Sequence, residues 1–152
     1  MGVVVVGVDG SEGAASALDY AIQEASVHGH LLRIVSAWEI PPSVLANVVA
    51  GTSFYEEFEK NAVVVAREAA ERVAELAPEI EHEEVVDEGQ AAKVLLAHAE
   101  DADLLVVGRR GYGTFREMLL GSISRQVTVH AKCPLLIVPL VEQENGKDED
   151  GE

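Results

Sequence analysis

The sequence predicts an α/β fold: a single doubly wound, Rossmann-like, five-stranded parallel sheet with helices on both faces. Three observations predict it. Short β-branched apolar runs alternate with longer segments of helical periodicity, which forces parallel pairing through right-handed crossovers. The runs at Val3–Val8 and Leu104–Val107 lack a polar face, as strands buried on both sides do. The chain has 152 residues, the length of one domain, and shows no internal repeat.

Taken in order, Val3 to Val8 reads as the first strand, closed by Asp9-Gly10-Ser11, with Ser11 placed to cap the helix that follows. That helix repeats Ala14, Leu18, Ala21, Ile22 and Ala25 at helical spacing and stops at Gly29. Leu31 to Ala37 is the second strand. The pattern loosens from Glu39 to Thr52, where Pro41-Pro42 leads a surface loop with a short helical turn. Ser53 and Glu56 form a capping box for a helix whose stripe is Phe58, Ala62, Val65, Ala69, Val73 and Leu76, ended by Pro78. Ile80 to Val86 is a polar strand, suited to a sheet edge where charge discourages unwanted pairing. Gln90 to Glu100 is a helix with Ala92, Leu95, Leu96 and Ala99 inward, and Leu104 to Val107 is a strand ending at Gly108. A glycine-rich loop precedes a helix from Ser122 to Ala131, with Ile123 and Val127 inward. Leu135 to Val138 is the last strand. The domain takes in residues 1–141, and 142–152 is an acidic tail without apolar periodicity, expected to be disordered.

Charge excludes some functions and points to another. The net charge is −16, from 27 acidic and 11 basic residues, which argues against general nucleic-acid or anionic-membrane binding. Only Lys60, Lys93, Lys132 and Lys147 are lysines, and acid excess with few lysines is the pattern of a halophilic source. Between Leu104 and Val141 the balance reverses: Arg109, Arg110, Arg116, Arg125 and Lys132 face only Glu117, a local +4 that leaves −20 elsewhere. A segment spared from acidity in this way suits an anion. No apolar run is long enough for a membrane span, and Cys133 has no internal partner, so a cytoplasmic, reduced setting is expected.

Ligands of open parallel sheets sit at strand carboxyl ends, where the strand order reverses. Two such ends carry suitable groups. Asp9-Gly10-Ser11 follows the first strand, and Gly108-Arg109-Arg110-Gly111, nine residues, then Gly121-Ser122-Ile123-Ser124 follow the fourth. Gly121-Ser122 falls where the last helix begins, so free N–H groups and the positive helix end meet whatever binds there. The hydroxyls of Ser122 and Ser124 add donors for phosphate oxygens. This is a phosphate cradle, although neither a Walker A loop nor a dinucleotide fingerprint occurs.

With these residues in view, the chain resembles the universal stress protein family, specifically its ATP-binding branch. The resemblance rests on Val8-Asp9-Gly10-Ser11, on the glycine spacing from Gly108 to Ser122, on Met118 to Ser124, and on Cys133 to Pro139, and it covers residues 3–139. It implies an ATP site, with ADP or AMP as alternatives, in which Asp9 lies near the ribose and adenine or near a nucleotide-bound Mg²⁺ or Mn²⁺. Ala37 would offer backbone to adenine, and Val107 and Gly108 would line the ribose. Gly111, Gly121, Ser122 and Ser124 would hold phosphates, with Val8, Arg109 and Ile123 in the same set. It also implies a homodimer through Leu135–Val138 and a nucleotide-dependent stress-response regulator without a catalytic residue.

Other readings of these residues stay open. Asp9 also suits a plain turn residue, Arg109 and Arg110 either meet phosphate or stay solvated, and Trp38 either flanks an adenine or packs at a strand end. Cys133 reads as a small buried hydrophobe, and His28, His30, His82, His98 and His130 have no metal or triad spacing. The competing functions are a slow ATPase of the same fold, a structural dimer without nucleotide, and a flavin- or adenylate-handling relative.

Overall fold

Val4, Val5 and Val6 present apolar side chains to both faces of their strand, and all three are buried. They lie in β1 (Val3–Gly7), the middle strand of a five-stranded, all-parallel sheet. The structure is a computed structural model and describes residues 1–45, 53–110 and 120–140. The elements that follow are α1 (Glu12–His28), β2 (Leu31–Trp38), α2 (Pro42–Leu45), α3 (Ser53–Leu76), β3 (His82–Glu88), α4 (Ala91–His98), β4 (Leu104–Gly108), α5 (Ser122–His130) and β5 (Leu135–Val138). The strand order is β3-β2-β1-β4-β5, which is the doubly wound arrangement expected.

Each face of the sheet has its own core, because alternate residues of a strand point to opposite sides. On one face Val4, Val6, Ile34 and Val106 pack with Ala17, Leu18, Ala21 and Ala25 of α1 and Ala69 and Val73 of α3. On the other, Val5, Val35, Leu105 and Val107 pack with Ala92, Val94 and Leu95 of α4 and Val127 of α5. Helix α1 shows how local chemistry sets the boundaries. Ser11 adopts an extended backbone and its hydroxyl accepts the Ala14 N–H at 3.2 Å, while Gly29 ends the helix at φ 65.

Several boundaries and faces differ from the sequence expectation. Strand β3 runs two residues later than expected, because its register is set by pairing His82 to Leu32 through Glu88 to Trp38, not by an apolar pattern of its own. Leu76, expected on the inner stripe of α3, is 52% exposed, and Ala77 just beyond the helix is buried in its place. Ala66 and Val94 are buried where the expected stripes omitted them, and Leu96 is only half-buried. Cys133 is half-buried, and desolvation raises its thiol above the usual range. The capping box at Ser53, the middle of the glycine-rich loop and the tail 142–152 lie outside the described residues or side chains.

The two sheet edges differ in chemistry. Edge β3 exposes Glu83, Glu84, Asp87 and Glu88, whereas edge β5 is Leu135-Leu136-Ile137-Val138. The acidic edge is partly neutralised from within. Arg33 of β2 donates from Nε to Glu83 at 2.5 Å and from Nη1 to Asp101 at 2.9 Å and the His98 carbonyl at 2.7 Å. His98 Nε2 lies 2.6 Å from Asp87 Oδ2. One guanidinium therefore ties β2 and β3 to the end of α4.

Two outcomes follow. Leu105 has no accessible surface, so Leu105→Ala should cost about 2–5 kcal/mol in a denaturant titration. The Arg33 hydrogen bond, aided by its charge, holds the exposed Asp101 carboxyl below the usual carboxylate range. A carboxyl depressed in the folded state stabilises the fold above its unfolded pKa and loses that contribution as pH falls. Arg33→Gln should therefore lower the melting temperature near neutral pH, and the gap from the unmodified chain should narrow as pH drops from about 6 to about 3.

Candidate functional site

The strand order reverses between β1 and β4: the chain builds outward from β1 through β2 to β3, then crosses back to place β4 on β1's other side. Strands that diverge in this way leave a crevice at their carboxyl ends. Val6 pairs with Val106, and this register brings the residues after β1 level with those after β4. The two segments singled out by sequence therefore flank one crevice.

The β1 side is a braced turn. Asp9 Oδ1 accepts the Ser11 N–H at 2.8 Å, and Gly10 takes φ 85, a left-handed conformation that a Cβ disfavours. The turn delivers the start of α1 into the crevice. Val8 is buried, and its N–H donates to the Val35 carbonyl at 2.9 Å, fixing the turn to β2.

The β4 side is held by its main chain. Arg109 donates its N–H to Val138 at 2.8 Å, and its carbonyl accepts the Gly121 N–H at 2.8 Å and the Ser124 hydroxyl at 2.8 Å. Ser124 also reaches the Gly121 carbonyl at 3.1 Å and is 2% exposed, so its hydroxyl braces the corner. Gly121 is the N-cap of α5, where no side chain caps the helix. The first N–H groups of a helix have no intrahelical acceptor, so this terminus presents a positive end. Ser122 is exposed there, while Ile123 is half-buried against the core and positions the terminus.

The two sides meet through glycines. A Cβ on Gly108 would lie 2.8 Å from both the carbonyl carbon and oxygen of Gly13, and one on Gly13 would collide with the Arg110 carbonyl. Sequence reasoning missed Gly13. The available signal was a glycine in the first turn of a helix, where it is unfavourable unless close approach requires it. Val107, beside Gly108, is 4% exposed and packs with the α4–α5 core. Ala37 lies at the carboxyl end of β2 and packs against the same core. Next to it, Trp38 makes an edge-on contact with Tyr55 at 6.0 Å and accepts the Gly89 N–H at 2.8 Å through its carbonyl. Gly111 lies outside the described residues.

A separate groove of about 260 Å³ runs between the carboxyl ends of α4 and α5, lined by Lys93, Leu96, Glu100, His130 and Lys132 among others. Lys132 lies 3.8 Å from Glu100 on its rim. It opens at the opposite end of those helices from the crevice, because α5 starts at Ser122 in the crevice and ends at His130 in the groove. Among the described residues no helix is long and apolar enough to cross a membrane.

Residues 1–139 match the model of the Universal stress protein family. A relative from Thermus aquaticus, a universal stress protein in the QAH/OAS sulfhydrylase 3′ region, is 34% identical over 137 residues, covering 89% of this chain and 96% of its own. A universal stress protein solved in complex with cAMP is 32% identical, with a TM-score of 0.67 over 92% of this chain and 98% of that one. An Arabidopsis thaliana protein of the same family, solved with AMP bound, shares the fold at a TM-score of 0.65 and 15% identity, covering 99% of each chain.

The glycine junction generates a direct test. Gly108→Ala puts a methyl group against backbone that cannot rotate away, so it should cost about 1–3 kcal/mol. For a domain of this size that corresponds to a fall in melting temperature of about 2–4 °C per kcal/mol, measured by calorimetry.

Proposed function

This chain belongs to the universal stress protein family, and from that premise we propose that it binds an adenine nucleotide in the β1–β4 crevice and acts as a nucleotide-dependent, homodimeric stress-response regulator. The observation that carries this reading is the convergence at one crevice of the side-chain-free Gly13–Gly108 junction and the uncapped start of α5. The close Gly13–Gly108 contact sets the depth of the crevice beside that terminus, whose N–H groups and positive end suit a phosphate. The nucleotide-bound relatives, with cAMP in one and AMP in the other, support adenine as the base.

In this reading Asp9 faces the ribose and adenine or a nucleotide-bound Mg²⁺ or Mn²⁺, using the carboxylate oxygen that does not brace Ser11. Val8 and Ala37 offer backbone to the base, and Val107 and Gly108 line the ribose. Arg109, Gly111, Gly121, Ser122, Ile123 and Ser124 form the phosphate side, Ser124 by holding the corner and Ser122 by direct donation. ATP, ADP and AMP all satisfy this set. We assign no catalytic residue, and function follows from occupancy. The ligand shifts a surface seen by partners, by no more than its differential affinity for the two states. The dimer forms through the apolar edge Leu135–Val138, in a cytoplasmic and salt-rich setting.

The test is to denature the purified chain and chromatograph the released small molecules, then to melt the nucleotide-free chain with and without ATP and magnesium. A ligand at about 100 times its Kd stabilises by about 2.7 kcal/mol, which raises the melting temperature by about 5–10 °C for this length. A chain that releases no adenine nucleotide and whose melting ignores ATP, ADP and AMP would refute the reading.

A further inference from the structure

Arg109 carries an unexplained cost. Its guanidinium Nε is buried, and no acceptor reaches it. A buried donor without a partner is destabilising, and native structures retain few of them without cause. The backbone of the same residue is engaged at both ends, by Val138 on one side and by Gly121 and Ser124 on the other. The main chain is thus held in place while one edge of the guanidinium is left unsatisfied. By the β1–β4 register Arg109 is level with Asp9, but Asp9 does not take up this nitrogen.

We propose that Arg109 is the specificity-determining residue of the crevice: it selects ligands that end in a phosphate dianion, such as AMP, ADP or ATP, over a cyclic phosphodiester monoanion such as cAMP. The inference rests on the nucleotide-binding reading above and adds to it a rank order of ligands. Peptide N–H groups at a helix terminus carry only partial charge and accept either kind of phosphate. A guanidinium carries a full charge and a planar fork of donors that matches two oxygens of a terminal phosphate. The second negative charge of that phosphate therefore gains most from Arg109.

The free chain and the bound chain then respond in opposite directions to losing this side chain, which a purely structural arginine would not show. The experiment compares the unmodified full chain with Arg109→Gln and Arg109→Lys, titrated calorimetrically with AMP and with cAMP and melted without ligand. The unmodified chain should favour AMP. Arg109→Gln should lose about tenfold or more in AMP affinity and less in cAMP affinity, while its ligand-free melting temperature stays level or rises. Arg109→Lys, which keeps the charge but loses the buried Nε, should retain a weakened AMP preference. An AMP-to-cAMP ratio unchanged in both variants would overturn this inference alone. An unmodified chain that binds neither ligand would overturn the nucleotide reading and this inference together.

Discussion

The crevice depends on two backbones lying closer than side chains permit. Gly13, in the first turn of α1, and Gly108, at the end of β4, face each other with no room for a methyl group. Because α1 also packs Ala17, Leu18 and Ala21 against β1 and β4, moving its start outward would draw apolar surface out of the core. The position of the crevice and the burial of one sheet face are therefore coupled. The braced turn at Asp9 and the Arg109 corner hold the two approaching segments from either side.

Electrostatics works against this fold more than for it. A chain of net charge −16 repels itself, and β3 places carboxylates side by side along an edge. Arg33, with only 17% of its side chain exposed, is placed where two acidic segments approach and contacts both. The cations after β4 serve differently: Arg109 has a buried donor that no protein group satisfies. The same residue type neutralises fixed charge at one end of the sheet and keeps an unsatisfied buried donor at the other.

Most of the strands were legible because they are buried on both faces, so apolar runs such as Val3–Val6 and Leu104–Val107 leave little alternative. The adjacency of the first and fourth strands, and so of the segments that follow them, accords with the doubly wound arrangement expected. What escaped was decided by partners distant in sequence. Strand β3 has no periodicity of its own and takes its limits from β2. Leu76 follows the α3 period but falls at the helix end, where the chain turns and brings Ala77 inward instead. Gly13 carried no charge or apolar signal, and only its contact with the end of β4 explains it. The commitment of the Ser124 hydroxyl to two carbonyls depends on a loop closing back on itself, which spacing alone does not disclose.

The unlike borders of the sheet have a geometric consequence. Continuous growth of strands from molecule to molecule needs two mutually compatible margins, one to receive and one to offer. Here the β3 margin is lined with negative charge and the β5 margin is aliphatic. Like aliphatic margins can join about a twofold axis, and once joined they leave only mutually repelling borders outward. Were two copies to pair at β5, the negative outer borders would oppose further growth, so the same asymmetry would guard against fibres.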